Sequence, residues 1–207
     1  MLPTMPISRV FARRVLLGLA AVATMAVSGA RPALADEASD FVKSFGGQLV
    51  AIVNSDEPLE KKKQDVLPLL QKNLDIAEIG KFCLGRYWRA ATPEQQKRYL
   101  SLFDHVLVNA ITDRIGDYRG VTFIVTGTSH APTGELVSAK IDRPGQPEAD
   151  MQLLVVNNSG YKVVDMIGEG ASLRLTQRQD YSAYLQRHNG NVNTLNDALQ
   201  RQIEHHH

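Results

Sequence analysis

The stretch from Asp75 to Tyr118, DIAEIGKFCLGRYWRAATPEQQKRYLSLFDHVLVNAITDRIGDY, constrains the fold more than any other part of the chain. Thr92-Pro93-Glu94-Gln95 stacks three helix-start signals: a capping hydroxyl, a proline at the first helical position and an amide where a capping box wants one. Beyond it Tyr99, Leu102, Phe103, Val106, Leu107, Ala110 and Ile111 recur at three- and four-residue steps. That spacing predicts a long helix with one buried face. Gln95, Gln96, Lys97, Arg98 and Ser101 fill most of its wet face, and Ile76, Ile79, Phe82, Cys83 and Trp88 form a second apolar set ahead of the cap. Such a stripe is ordinarily core. It equally suits the wall of an apolar cavity, and periodicity does not separate the two.

The N-terminus reads as a secretory leader. Arg9, Arg13 and Arg14 form a basic start, Val15 to Val27 is a short apolar run, and Ala33-Leu34-Ala35 is a small-x-small cleavage site before Asp36. The run is too short for a membrane span, and the residues around Arg13-Arg14 fit twin-arginine export poorly, so general secretion is expected. Residues 1–35 are thus assigned to a signal peptide, 36–203 to one domain and 204–207 to a tag remnant. The leader holds four arginines and no acid, so its removal takes the formal charge from +1 to −3. A mildly acidic exported chain is not a nucleic-acid binder by default. The remaining ~172 residues suffice for one sizeable core.

The mature chain opens with a helix from Ala38 to Asn54, in which Gly46-Gly47 either weakens the helix or permits a close approach. A second helix runs from Leu59 to Leu74, with Pro68 predicting a kink or new start and Lys61, Lys62 and Lys63 a solvated face. After the long helix the period changes to two. Strands are expected at Val121–Thr126, Leu136–Ile141, Met151–Val156 and Tyr161–Ile167, separated by turn chemistry. Four such strands make an antiparallel meander, and the expected class is α+β, with the sheet covered on one face by several helices. A helix from Ser172 or Thr176 to His188 and another from Thr194 to Ile203 close the chain.

Several chemistries find no support. Cys83 is the only cysteine, which rules out an intramolecular disulfide or CxxC site and suits a core thiol. His105, His130 and His188 are scattered, and no metal site or other cofactor is expected. Gly168-Glu169-Gly170-Ala171-Ser172 matches neither a nucleophile elbow nor a dinucleotide loop. Asp104 and His105, adjacent on a helix, diverge by about 100° and cannot pair without a third element. No enzyme activity is expected.

LGRYWR followed by the capped TPEQ start, together with Asp165-Met166-Ile167-Gly168-Glu169-Gly170-Ala171-Ser172 after the last strand, resembles the MlaC family, the toluene-tolerance auxiliary proteins. The likeness runs from about Phe41 to Gln202. One departure is Tyr161-Lys162 where the family usually has Trp-Lys. The resemblance implies a monomeric periplasmic carrier, cleaved after Ala35, whose helices and sheet enclose an apolar cavity for phospholipid acyl chains. It also implies shuttling between an outer-membrane lipoprotein–porin assembly and an inner-membrane ABC transporter with an Mce-type subunit, maintaining outer-membrane lipid asymmetry. Under that reading the walls are Phe82, Trp88, Tyr99, Phe103, Val106, Leu107, Ile111, Leu153, Val155, Val163, Met166 and Tyr184, with Phe103 and Leu107 facing Val155 and Val163. A hopanoid or other polycyclic lipid is the alternative cargo, and an envelope adaptor with a filled core is the alternative role.

Overall fold

The computed structural model describes residues 31–205. Most of the expected leader and the last two histidines lie outside the described residues. Seven helices and one sheet follow in order: α1 (Arg31–Asn54), α2 (Leu59–Asn73), α3 (Ile76–Leu84), α4 (Arg86–Ala90), α5 (Pro93–Thr112), a 3-10 turn (Ile115–Tyr118), β1 (Thr122–Ala131), β2 (Gly134–Asp142), β3 (Ala149–Asn157), β4 (Tyr161–Gly168), β5 (Ala171–Ser172), α6 (Leu173–Arg187) and α7 (Val192–Glu204).

The strong local signals hold. Thr92 and Gln95 form the capping box of α5: Gln95 N donates to Thr92 Oγ1 at 3.3 Å and Thr92 N to Gln95 Oε1 at 2.9 Å. Two orphan amides of the helix start are satisfied at once. α2 runs through Pro68 without a new start. The lysine run is not wholly solvated, since Lys62 is only 9% exposed and its ammonium donates to the Val53 carbonyl at 2.7 Å. Its stem joins the packing and its charge closes the C-terminal end of α1, a use of lysine that composition does not reveal.

The sheet is an antiparallel meander in the order β1-β2-β3-β4-β5, with five strands rather than four. The fifth comes from the glycine-rich run. Glu169 and Gly170 both take positive φ, 51° and 79°. Two such residues make a tight hairpin turn whose twist matches the strands, so Ala171 and Ser172 fold back onto Gly168 and Ile167.

Helices cover both faces of the sheet, which corrects the one-face expectation. Val137, Leu153, Val155 and Val163 pack with Ala38, Val42 and Phe45 of α1 and Val66, Leu69 and Leu70 of α2. On the other face Leu154 and Val164, with Leu136 and Val156 beside them, pack with α3, α5, α6 and α7. Met151-Gln152-Leu153-Leu154-Val155-Val156 carried the signal, because a strand buried on both sides reads as a nearly continuous apolar run. Leu74, between α2 and α3, touches both clusters and bridges to Val163 at the edge of β4.

α1 lies close on β1. A Cβ on Gly46 would collide with the Phe123 ring, whereas one on Gly47 would meet nothing. The glycine pair therefore has two meanings. Gly46→Ala should overpack the contact and destabilise by about 1–3 kcal/mol, and Gly47→Ala should stabilise by about 0.5–1 kcal/mol through helix propensity. Urea unfolding of the two variants checks this, and equal signs would refute it.

Candidate functional site

Two arrangements on the α3–α7 side of the sheet have the character of a site. The first is the apolar interior beneath α5. Tyr99 is fully buried, with its ring 5.7 Å from Phe103 and 6.2 Å from Tyr181, and Phe103 is 6.4 Å from Tyr181. Gly80 lets α3 approach α5, because a Cβ there would stand 3.0 Å from both Leu100 and Phe103. The Tyr99 hydroxyl donates to the Gly80 carbonyl at 2.9 Å. Burial holds the Tyr99 phenol far above its ordinary range, so it stays protonated and keeps that bond. Burial also pushes the Cys83 thiol up to about 12, which leaves it neutral and unreactive, donating weakly to the Arg174 carbonyl at 3.5 Å.

α5 packs chiefly on α7, α3 and α2. An open cleft of about 470 Å³ lies between the C-terminal ends of α5 and α7, lined by Val106, Asn109, Ala110, Asp113, Arg114, Gln202 and Ile203. Val106 and Ile203, with Leu107 next along α5, are half-buried and pack on the inner cluster, so the cleft has a polar rim and two apolar wall residues anchored in that cluster. Ala110, expected on the buried stripe, is exposed at this cleft, and the deeper positions further along α5 are Val108 and Thr112. A second groove of about 470 Å³ lies between α1 and α2, lined by Gln48, Ala51, Ile52, Asp65, Pro68, Leu69 and Lys72.

The twelve residues expected to line one cavity fall into separate places. Tyr99 and Phe103 are buried in the cluster beneath α5, and Trp88, Val106, Leu107 and Tyr184 pack against it half-buried. Leu153, Val155 and Val163 lie on the opposite face of the sheet, and Ile111 packs with them. Phe103 and Leu107 therefore do not share a cluster with Val155 and Val163; they belong to the cluster that holds Leu154 and Val164. Met166 stands opposite Leu153 in register, on that other face, and is partly exposed. Phe82 is half-buried beneath two guanidinium groups, Arg174 at 4.2 Å and Arg178 at 5.0 Å from its ring centre.

The second arrangement fastens α6 to the sheet. β4 carries one extra residue at Val164, since Leu154 opposes Asp165 while Val155 opposes Val163. Strict alternation would leave Asp165 on the side of Val163. The bulge turns it to the face of α6. There it accepts from Ser172 Oγ at 2.6 Å and from Arg174 N at 3.2 Å, and lies 3.4 Å from Arg174 Nε. Ser172 in turn caps α6 by accepting from Leu175 N at 3.1 Å. The Asp165-to-Ser172 run was visible in the sequence, but this bond between its two ends was not. Asn109, Arg114, Gln202 and Ile203 of the cleft were also missed, because nothing in their local pattern separates a cleft rim from an ordinary wet face. Among the described residues, no three His, Cys, Asp or Glu side chains gather as metal ligands.

Comparison with known proteins gives this geometry a context. The model of the MlaC protein family matches residues 29–201. Among solved structures, a phospholipid-binding protein from Ralstonia solanacearum, determined in complex with a phospholipid, superposes with a TM-score of 0.72 at 22% identity, over 81% of this chain and 97% of that one. At this identity the likeness establishes a common fold.

Proposed function

The chain belongs to the MlaC family, and on that premise we propose that it is an exported phospholipid carrier without catalytic activity. The observation that carries the reading is the cleft between α5 and α7, which has Arg114 and Asn109 at its rim and Val106 and Ile203, packed on the apolar cluster, in its wall. Acyl chains enter there and spread between α5 and the Leu136–Leu154–Val156 face of the sheet. The headgroup stays at the rim, where the Arg114 guanidinium can meet a phosphate. Each buried methylene contributes about 0.8 kcal/mol, so a chain of ~16 carbons brings on the order of 10 kcal/mol. That exceeds what parting a few half-buried side chains costs, so the helices can close on themselves when empty and open for cargo. Tyr99, Phe103, Val106, Leu107 and Tyr184 belong to this chamber in the proposal, whereas Leu153, Val155, Val163 and Ile111 are core of the opposite face. The cargo passes between an outer-membrane lipoprotein–porin assembly and an inner-membrane ABC transporter with an Mce-type subunit.

The fold resembles that of a protein solved with a phospholipid in place, which supports phospholipid over other lipids as cargo. Protein recovered from the periplasm of a Gram-negative host without detergent should begin at Asp36 and release phospholipid on extraction, identified by mass spectrometry. Material that begins at Met1 in the membrane fraction would defeat the export reading. Recovery of a polycyclic lipid, or of no lipid, would defeat the cargo assignment.

A further inference from the structure

The junction of α3 and α4 and the first turns of α6 bring four cations and an exposed leucine together. Arg178 lies on the Phe82 ring and against Gly85, where a Cβ would stand 2.9 Å from its Nε. Gly85 takes a φ of +59°, so glycine both allows the turn and leaves room for the guanidinium. Arg86 follows directly, with its guanidinium over the Tyr87 ring at 4.9 Å and Nη2 donating to the Tyr87 hydroxyl at 2.9 Å. Lys81 stands 6.0 Å from the centre of the Trp88 ring. Arg89 is exposed one turn beyond Arg86. Among the described residues, none of Lys81, Arg86, Arg89 and Arg178 has a carboxylate within ion-pair distance, whereas Arg174 beside them is taken by Asp165. Leu175 is 46% exposed and neighbours Arg178 one helical turn on.

We infer that this surface docks on an anionic phospholipid bilayer. Four cations unpaired among the described residues, in a chain whose expected mature form is net acidic, gather positive charge at this junction. Ring contacts hold Arg86 and Arg178 in place, so little side-chain entropy is lost when they meet phosphates. An acidic protein surface would complement the charge alone. Leu175 beside these cations fits a bilayer, where exposed apolar side chains sink beside headgroups while basic ones stay at the phosphates. The cleft between α5 and α7 lies elsewhere, so docking and cargo binding are separable.

The test uses mature, lipid-loaded protein and flotation with vesicles of phosphatidylethanolamine and phosphatidylglycerol, against vesicles of phosphatidylcholine alone. Binding to the anionic vesicles should be lost near 0.5 M salt, as screening predicts. Each cation near such a surface is worth about fivefold in partitioning, so R86Q/R89Q should weaken binding about 25-fold. L175S should weaken it while leaving the salt dependence. The chain has one tryptophan, Trp88, and brominated lipid should quench its fluorescence only in the docked state. Phospholipid loading, read by mass spectrometry, should be unchanged in both variants, so failure of docking and failure of the carrier reading are distinguishable. Equal flotation with both vesicle types, absence of flotation at low salt, or flotation indifferent to R86Q/R89Q would overturn the inference. Capture by an acidic protein without vesicle binding would do the same.

Discussion

Replacing Asp165 by alanine should lower stability by about 3 kcal/mol, near the bottom of the range for breaking a buried ion pair. Both partners are shielded, with 5% of the Asp165 side chain and 16% of the Arg174 side chain exposed. The substitution strands the Arg174 guanidinium, removes the acceptor for Ser172 Oγ and for Arg174 N, and loosens the cap of α6. The Phe82 ring beneath Arg174 retains part of the attraction, which keeps the loss from being larger. For a domain of this size the melting temperature should fall by about 6–12 °C. D165A/R174L should recover much of the loss, because removing both charges leaves neither one stranded. Thermal unfolding of delipidated protein measures both. A D165A shift of under about 1 kcal/mol, or a double variant worse than the single, would show that the pair does not fasten α6.

Leu107→Trp should abolish phospholipid uptake while leaving the empty protein folded. Leu107 is half-buried on the inner cluster and follows the cleft-lining Val106 along α5, so in the proposed chamber an indole there takes space that an acyl chain would fill. Excluding about four methylenes removes ~3 kcal/mol of binding and weakens affinity by more than 100-fold. In a closed core the same change would overpack and cost about 1–3 kcal/mol. Val155 supplies the contrast: it is 1% exposed on the other face, and Val155→Ala should cost about 2–3 kcal/mol with uptake by the folded fraction unchanged. The comparison needs delipidated protein, since bound cargo stabilises by mass action. Strong destabilisation of Leu107→Trp with undiminished uptake from vesicles would reject the chamber, and loss of uptake in Val155→Ala would move it to the other face.

Local signals in the sequence were enough for the long elements, though not for α4 or β5. The Thr92–Gln95 box starts α5, Ser172 caps α6, Asn189-Gly190 stops it, and period-two runs give the four long strands of the α+β fold. Such signals act within a few residues, through hydrogen bonds and steric limits that any neighbouring structure leaves in force. The resemblance carried by LGRYWR, TPEQ and the Asp165–Ser172 run likewise pointed to the MlaC family. Tertiary structure alone decided which apolar residues meet. Tyr99, Phe103 and Leu107 share a stripe with Ile111, yet Ile111 packs with the opposite cluster because α5 outlasts the interior it covers. Val163 and Val164 are sequence neighbours on opposite faces, and one extra residue in β4 gives Asp165 the face of its neighbour Val164. A period fixes the phase of side chains along one element. Pairing register and helix placement fix what lies across from them, and a shift of one residue exchanges core for site.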